Sequence, residues 1–345
     1  MAKAEERAGL GIRLPALALW CAALMAPGIA AGQEKPSFEV WLEGVRAEAI
    51  EIGIKPEIVT AALTGVEPIQ RIIQRDRNQA EFKLTLDRYM TRVVTPANVA
   101  AGRRMAKKHE TLLAAVGRKY GVQPRFILAI WGIETRFGAV EADVPLIPAL
   151  ATLAYDARRS TFFRRQLFDA LQMVNRGYIG LESLLGSWAG AMGQPQFMPS
   201  SYLAFAEDFD GDGKRDIWKN EGDVFASIAN YLAKHGWRDD LTWGRQVKVP
   251  AALAASLGEP GRRAAPGCRA TTSDRKPLPE WQALGVRRAD GGDLPVRDIP
   301  AALVLPDGAG GDAYLVYQNY AAIMAYNCAH LYAVTVGTLA DRIQE

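Results

Sequence analysis

Pro124-Arg-Phe-Ile-Leu-Ala-Ile-Trp-Gly-Ile-Glu-Thr-Arg-Phe-Gly138 opens on a proline and closes on a glycine. Proline suits the first turn of a helix, where its missing N–H is no loss, and glycine suits the stop. The side chains between them are nearly all apolar, so the stretch reads as a helix buried on most of its faces. Ile127, Ile130 and Glu134 fall at i, i+3 and i+7, which puts a carboxylate on the apolar stripe. Charged groups are almost never fully buried without a partner. A carboxyl so placed has its ionised form disfavoured, so its pKa rises and it can hold a proton near neutral pH, as a general acid must. Periodicity leaves two other readings open: a head group reaching water at the helix end, or one paired with Arg136 or a distant arginine.

Outward from this helix, residues 35–240 read mostly helical. Phe38, Trp41, Leu42, Val45 and Ala49 recur at helical spacing, as do Phe82, Leu86, Tyr89 and Val93, with Pro96 as the break. A further helix is expected from Ala97 to Tyr120, stopped by Gly121, and an amphipathic one over Val224–His235, stopped by Gly236. From 246 to 315 the chain turns to proline, glycine and short β-type runs, with turns at Asp290-Gly-Gly292 and Pro306-Asp-Gly308. Helix returns from Tyr320 to Ile343. No repeat at a 20–50 residue period stands out.

The 345 residues carry 41 Lys plus Arg against 38 Asp plus Glu, a net charge of +3, which makes no case for a nucleic-acid partner. Hydrophobic residues at 49% exclude a disordered chain, and three cysteines are too few for a disulfide scaffold. At the N-terminus, Lys3, Arg7 and Arg13 precede an apolar run from Leu14 to Met25 and the small residues Ala30, Ala31 and Gly32. This is the pattern of a cleavable export signal ending near Ala31, too short for a membrane span. Trp20 before Cys21 disfavours lipidation. The mature chain is therefore expected in an oxidising compartment, where Cys268 and Cys328 either pair or stay as buried thiols.

Gly190-Ala-Met-Gly-Gln-Pro-Gln-Phe-Met-Pro-Ser-Ser-Tyr202 fits neither regular helix nor strand. It reads as a shaped loop carrying amides and hydroxyls, suited to a polar-ligand groove or to a structural turn. WGIETRFG (Trp131–Gly138) together with GSWAGAMGQPQFMPSSY (Gly186–Tyr202) resembles the lytic murein transglycosylases of the B type. DFDGDGKRDIW (Asp208–Trp218), ANYLAKHGW (Ala229–Trp237) and QNYAAIMAYN (Gln318–Asn327) extend the resemblance in order along nearly the whole mature chain.

The resemblance implies cleavage of the β-1,4 bond between N-acetylmuramic acid and N-acetylglucosamine in peptidoglycan, without water, to a 1,6-anhydro product. It makes Glu134 the single catalytic residue, acid first and base second. It also implies that Tyr89, Ser187, Gln196, Tyr231, Tyr326, Asn327 and Tyr332 contact sugar or hold the acid. Arg158 and Arg159 would face the peptide stem, and Phe162 stands where some relatives carry Tyr. Ordinary glycosidases use two carboxylates; in a lysozyme-type muramidase, the nearest alternative, Asp143 or Asp156 would serve as the second. A murein-binding scaffold without turnover is the alternative from another class.

Asp208, Asp210, Asp212 and Gly213 occupy positions 1, 3, 5 and 6 of an EF-hand pattern, and the Lys214 carbonyl would fill position 7. Position 12 is Lys219, not the expected Glu; by resemblance to a longer version of the loop, Asp223 supplies the later acid. The expectation is a structural Ca²⁺ site over 208–223, with no cofactor for catalysis.

The expected architecture is mainly α (α+β). It comprises a leader at 1–31, an N-terminal helical lobe at 35–100 and a lysozyme-like core at 101–245. A small β-rich subdomain follows at 246–315, and C-terminal helices at 316–345 complete the core. The expected location is the periplasm, the partners murein strands with their stems, and beyond them proteins of cell-wall synthesis or the divisome.

Overall fold

The computed structural model describes residues 35–78, 84–156, 158–256 and 262–345. The leader, with Cys21, and Phe82 lie outside the described residues. Phe38–Glu345 forms one compact unit, and the expectation of a mainly helical chain holds.

The Pro124–Thr135 helix is its hub. Phe126 through Gly132 are all buried, because helices Pro96–Lys108, Glu110–Tyr120, Glu221–Lys234 and His330–Gln344 pack around it. Local signals set the ends of these helices. Thr95 Oγ1 accepts the Asn98 N–H at 3.1 Å, and Asn220 Oδ1 accepts the Gly222 N–H at 2.9 Å. Each such cap contributes roughly 1 kcal/mol.

The single helix expected over Ala97–Tyr120 is in fact two. His109 ends the first and starts the second with a backbone outside the helical region (φ −109°, ψ 21°). Its ring lies edge-on to Trp131 and Phe225, with centroids 5.8 and 5.3 Å away, so burial of the imidazole fixes the break. The C-terminal run also divides, into Gln318–Tyr326 and His330–Gln344.

A second core gathers helices Phe38–Glu51, Pro56–Leu63, Leu146–Tyr155 and Ser160–Asn175. The Glu221–Lys234 helix serves both cores. Val224, Phe225, Ile228 and Leu232 enter the first, while Tyr231 enters the second. Ala325 and Tyr326 pack against both, so these residues mark the seam.

The β-type runs form a five-stranded antiparallel sheet, in the order Lys276–Pro277, Pro300–Val304, Ala313–Val316, Gly244–Lys248, Arg287–Arg288. Side chains alternate across it. Ala302, Val304, Tyr314 and Val316 join the first helical core; Ala301, Leu303, Ala313 and Leu315 join Leu278 and Trp281 in a third cluster. Burial on both faces is why these strands read as continuous apolar runs. Cys268 and Cys328 form a disulfide with Cα atoms 5.4 Å apart, tying the segment beside the sheet to the link between the last two helices. Among the described residues no helix is long and apolar enough to cross a membrane.

Candidate active site

The hub helix ends in an unusual turn. Arg136, Phe137 and Gly138 all take left-handed backbone, at φ 52°, 60° and 78°. Two of these are not glycine, and each costs about 1–2 kcal/mol. The turn folds the Phe137 ring back beneath Gly132, where a Cβ would meet it at 2.6 Å. Only glycine fits there, and Glu134 is thereby carried on the last, tightly held turn.

Tyr332, 3% exposed on the His330–Gln344 helix, donates its hydroxyl to Glu134 Oε1 at 2.6 Å. The carboxyl keeps some access to solvent but is otherwise enclosed by protein. Burial pushes its pKa up to about 7, against the smaller opposing effect of the Tyr332 hydrogen bond. The cause is desolvation, not a second acid. Of the readings left open by periodicity, pairing with an arginine does not apply: the head group is bonded to a tyrosine, not to Arg136. Burial and then the Glu134 charge raise the pKa values of Tyr89, Tyr326 and Tyr332, so these phenols stay protonated.

Tyr326 donates to the Pro195 carbonyl at 2.6 Å, and Tyr231 to the Ala325 carbonyl at 2.7 Å. The Tyr326 and Tyr332 rings lie nearly parallel, 6.4 Å apart, and Tyr231 meets Tyr326 edge-on at 4.8 Å. These tyrosines thus form one aromatic wall beside the carboxyl, at the seam of the two cores. Tyr89 rides on the Leu86–Val93 helix, whose first N–H is gripped by both carboxylate oxygens of Asp307, at 3.0 and 2.9 Å. Asp307 belongs to a turn of the sheet segment.

Gly186–Met198 is a loop pinned by its own polar groups; the loop expected to run to Tyr202 ends earlier, because Pro199 opens a helix over Pro199–Phe205. Ser187 Oγ accepts the Ala191 N–H at 3.1 Å, and Met192 bridges both Gly186 and Phe197. Gln196 is left-handed (φ 52°) and returns its amide to the Gly193 carbonyl at 2.9 Å. Gln194 was not singled out from sequence, yet it binds three segments together. Its side-chain carbonyl accepts Trp131 Nε1–H at 2.6 Å and its amide donates to the Trp218 carbonyl at 2.8 Å. Its backbone carbonyl accepts the Thr135 hydroxyl at 3.0 Å, and its N–H donates to the Ile217 carbonyl at 2.8 Å. Gly138 leaves the room: a Cβ there would stand 2.6 Å from Gln194 Oε1. Two glutamines flanking one proline look alike in sequence, and only the fold separates their roles.

Among the described residues, the carboxyl is bonded to Tyr332 and not to the other expected residues. Arg158 grips Asp76, only 2% exposed, through two bonds of 2.6 and 2.7 Å, and Arg159 binds the same carboxylate. Both arginines stay exposed at the surface while paired with this acid. The Arg158 bonds outweigh burial and hold Asp76 below the usual carboxylate range. Phe162 is 46% exposed and meets Phe163 edge-on. Asn327 is exposed at the end of the Gln318–Tyr326 helix. Asp156 is buried and paired with Arg77 at 3.1 Å, and Asp143 is exposed in the loop before Val144.

In the acidic loop, carboxylate atoms of Asp208, Asp210 and Asp212 gather within 4.8 Å of one another. Asp208 accepts the N–H groups of Gly211, Asp212 and Gly213 at 2.7, 3.1 and 2.8 Å. Burial pushes its pKa up, but these amides outweigh it and hold the carboxyl below its ordinary value. Lys214 enters by its N–H, which donates to Asp212 Oδ1 at 2.8 Å. Asp223 is not in the trio. Fully buried, it accepts Phe209 N–H at 2.8 Å and Asp216 N–H at 2.7 Å, clamping the two feet of the loop. Burial raises its pKa. Three oxygen-only side chains on one glycine-rich turn fit a hard cation such as Ca²⁺.

Sequence and structure comparisons relate the chain to known proteins. Membrane-bound lytic murein transglycosylase B of Escherichia coli (strain K12) is 33% identical over 257 residues, 74% of this chain and 66% of that protein. The chain thus spans just under two thirds of that relative. The crystal structure of SltB3 from Pseudomonas aeruginosa in complex with NAG-anhNAM-pentapeptide superposes with TM-score 0.81 at 40% identity, over 89% of this chain and 80% of SltB3. The Escherichia coli transglycosylase Slt35, solved in complex with calcium, gives TM-score 0.72 at 28% identity, over 88% and 92% of the two chains. The family model described as the transglycosylase SLT domain matches residues 37–341. A match of that extent, bracketing the hub helix, the pinned loop and the sheet alike, makes this chain a member of the SLT transglycosylase family.

Proposed function

We propose that the chain is a lytic transglycosylase that cleaves the muramyl–glucosaminyl β-1,4 bond of peptidoglycan. The observation that carries this reading is the Glu134 carboxyl, enclosed, bonded to Tyr332 and ionising near pH 7. Protonated, it gives its proton to the glycosidic oxygen as the C1–O bond breaks. The muramyl N-acetyl group stabilises the cationic centre. The carboxylate left behind then takes the proton of the muramyl 6-hydroxyl as that oxygen bonds to C1. The 6-hydroxyl proton thus replaces the one left on the departing sugar oxygen, the acid is restored and no water is consumed. The causes of the Glu134 shift include no partner carboxylate, which supports the one-acid route over the two-carboxylate one. So does the anhydro-sugar ligand bound by SltB3.

In this reading the wall of Tyr89, Tyr231, Tyr326 and Tyr332 holds the acid and stacks on sugar rings. Ser187, Gln196 and Asn327 offer hydroxyl and amide groups to N-acetyl groups. Arg158 and Arg159 keep outward-facing edges for a stem carboxylate, with Phe162 beside them. The 208–223 loop holds a structural Ca²⁺ through Asp208, Asp210, Asp212 and the Lys214 carbonyl, with Asp223 fixing the loop's shape. The chain works in the periplasm after removal of residues 1–31; the Cys268–Cys328 pair suits such a compartment. Its partners there include cell-wall synthesis or divisome proteins.

The test is mass spectrometry of muropeptides released from purified sacculi. Wild type is expected to release anhydro-muropeptides, and Glu134→Gln nothing above background while still binding sacculi. Products heavier by one water would establish the hydrolase instead.

A further inference from the structure

Beside the hairpin of Arg262–Arg263 and Thr271–Thr272 lies a cavity of about 400 Å³. Arg262, Arg263 and Arg275 line it with Thr272 and Gln318, over an apolar floor that includes Tyr320. Elsewhere the arginines that shape the fold have acids: Arg158 and Arg159 share Asp76, Arg125 has Asp341, and Arg288 has Asp290. Among the described residues no carboxylate is within ion-pair reach of the three cavity arginines. Arg275 instead donates to Gln318 Oε1 at 3.1 Å. Its guanidinium loses hydration and feels the Arg262 charge, both of which disfavour its cation. Like charges gathered without a counter-charge are unfavourable until an anion enters, and a planar guanidinium fork matches a carboxylate.

The cavity's position identifies the anion. Gln318 begins, and Tyr326 ends, one helix, and Tyr326 stands in the aromatic wall beside Glu134. Eight residues at 1.5 Å each put the cavity roughly 12 Å along that helix from the wall. A peptide of four or five extended residues spans about 13–17 Å. We propose that Arg262, Arg263 and Arg275 form a carboxylate-binding site for the acidic end of the peptide stem on the murein strand being cleaved at Glu134. This rests on the reading of the chain as a murein-cleaving enzyme.

The test compares wild type, the double variant Arg262→Gln/Arg275→Gln and the charge-keeping Arg275→Lys, each first shown to melt like wild type. Two substrates are used: stem-bearing glycan strands, and the same strands stripped of stems by an amidase. For the double variant, kcat/KM on stem-bearing strands is expected to fall about tenfold, carried by KM, as loss of one charge-assisted contact would give. Arg275→Lys is expected to fall less, and stripped strands to be cleaved equally by all three. Equal losses on both substrates, or no loss on either, would overturn the proposal. A synthetic acidic stem tripeptide and inorganic phosphate are titrated separately by NMR. Tripeptide shifts at Thr272 and Gln318 that vanish in the double variant support the site, and their persistence there would overturn it; phosphate binding as tightly as the tripeptide would overturn its assignment to the stem. If wild type cleaves neither substrate, the reading of the enzyme fails, while the titration still judges the cavity.

Discussion

A carboxyl that ionises near pH 7 leaves the same signature in rate and in stability. In the free enzyme the acid form of Glu134 is lost as pH rises through about 7, so kcat/KM is expected to fall on the alkaline side of that value. Tyr332→Phe removes the bond that favours the carboxylate. The alkaline limb of its pH–rate profile should therefore move upward, alongside a drop in kcat from a less well-held acid. Stability follows the same proton. The folded pKa of about 7 lies above the ordinary carboxyl value of 4.5, so the folded state binds the proton more tightly. The associated stability is fully present below about pH 4.5 and is lost as pH rises through 7. Glu134→Gln removes a charge that is unfavourable above pH 7, so its Tm should exceed wild type at pH 8 and the gain should shrink at pH 5. A maximal value of roughly 3 kcal/mol follows from the two pKa values. A variant that melts with wild type at every pH would contradict the burial argument. Sequence made this residue visible, because one acid on an apolar helix stripe is an anomaly; its tyrosine partner lay 198 residues away and was visible only by resemblance.

At the scale of elements, Gln194 joins the hub helix to the loop and to the Ile217–Trp218 segment. Gln194→Leu keeps the bulk but leaves the Trp131 N–H and the Trp218 carbonyl without this partner. A loss of about 2–3 kcal/mol in denaturant unfolding is expected, with a lower kcat because the turn bearing Glu134 loosens. The acidic loop makes a separate prediction. A cation bound only by the folded chain stabilises by about 2.7 kcal/mol at a hundredfold its dissociation constant. Calcium should thus raise Tm and EDTA reverse it, while product identity stays the same; Asp208→Ala/Asp210→Ala should abolish the calcium response. The helix start at Pro124 was legible from its proline, whereas Pro96 was read as a break with the next helix from Ala97, and the helix capped by Asn220 starts at Glu221, ahead of the expected Val224. The break at His109 was not legible, because His is no breaker; tertiary burial against Trp131 decides it. Asp223 was the expected later ligand by resemblance alone; in the fold its oxygens bond backbone amides from both feet of the loop, which the sequence does not reveal.

Across the whole molecule, two helical cores meet along a seam, and the aromatic wall stands where they join. Short β-type runs and turn residues announced the sheet, but not that it would be buried on both faces. The cysteine pairing was open in sequence because proximity of Cys268 and Cys328 depends on how the sheet segment docks on the last helices. The pair closes 60 residues of chain. In chain-entropy terms such a loop contributes about 4 kcal/mol, so reduction should lower Tm by several degrees or more. Unchanged melting after full reduction would argue against a docked sheet. The Asp307 grip on the start of the Tyr89 helix reaches further. A trimmed enzyme lacking the sheet, built for crystallography or for use as a lysin, would keep every residue of the hub yet release the start of the helix that carries Tyr89. The sheet segment acts as a buttress for that helix, and a minimal fragment has to carry it.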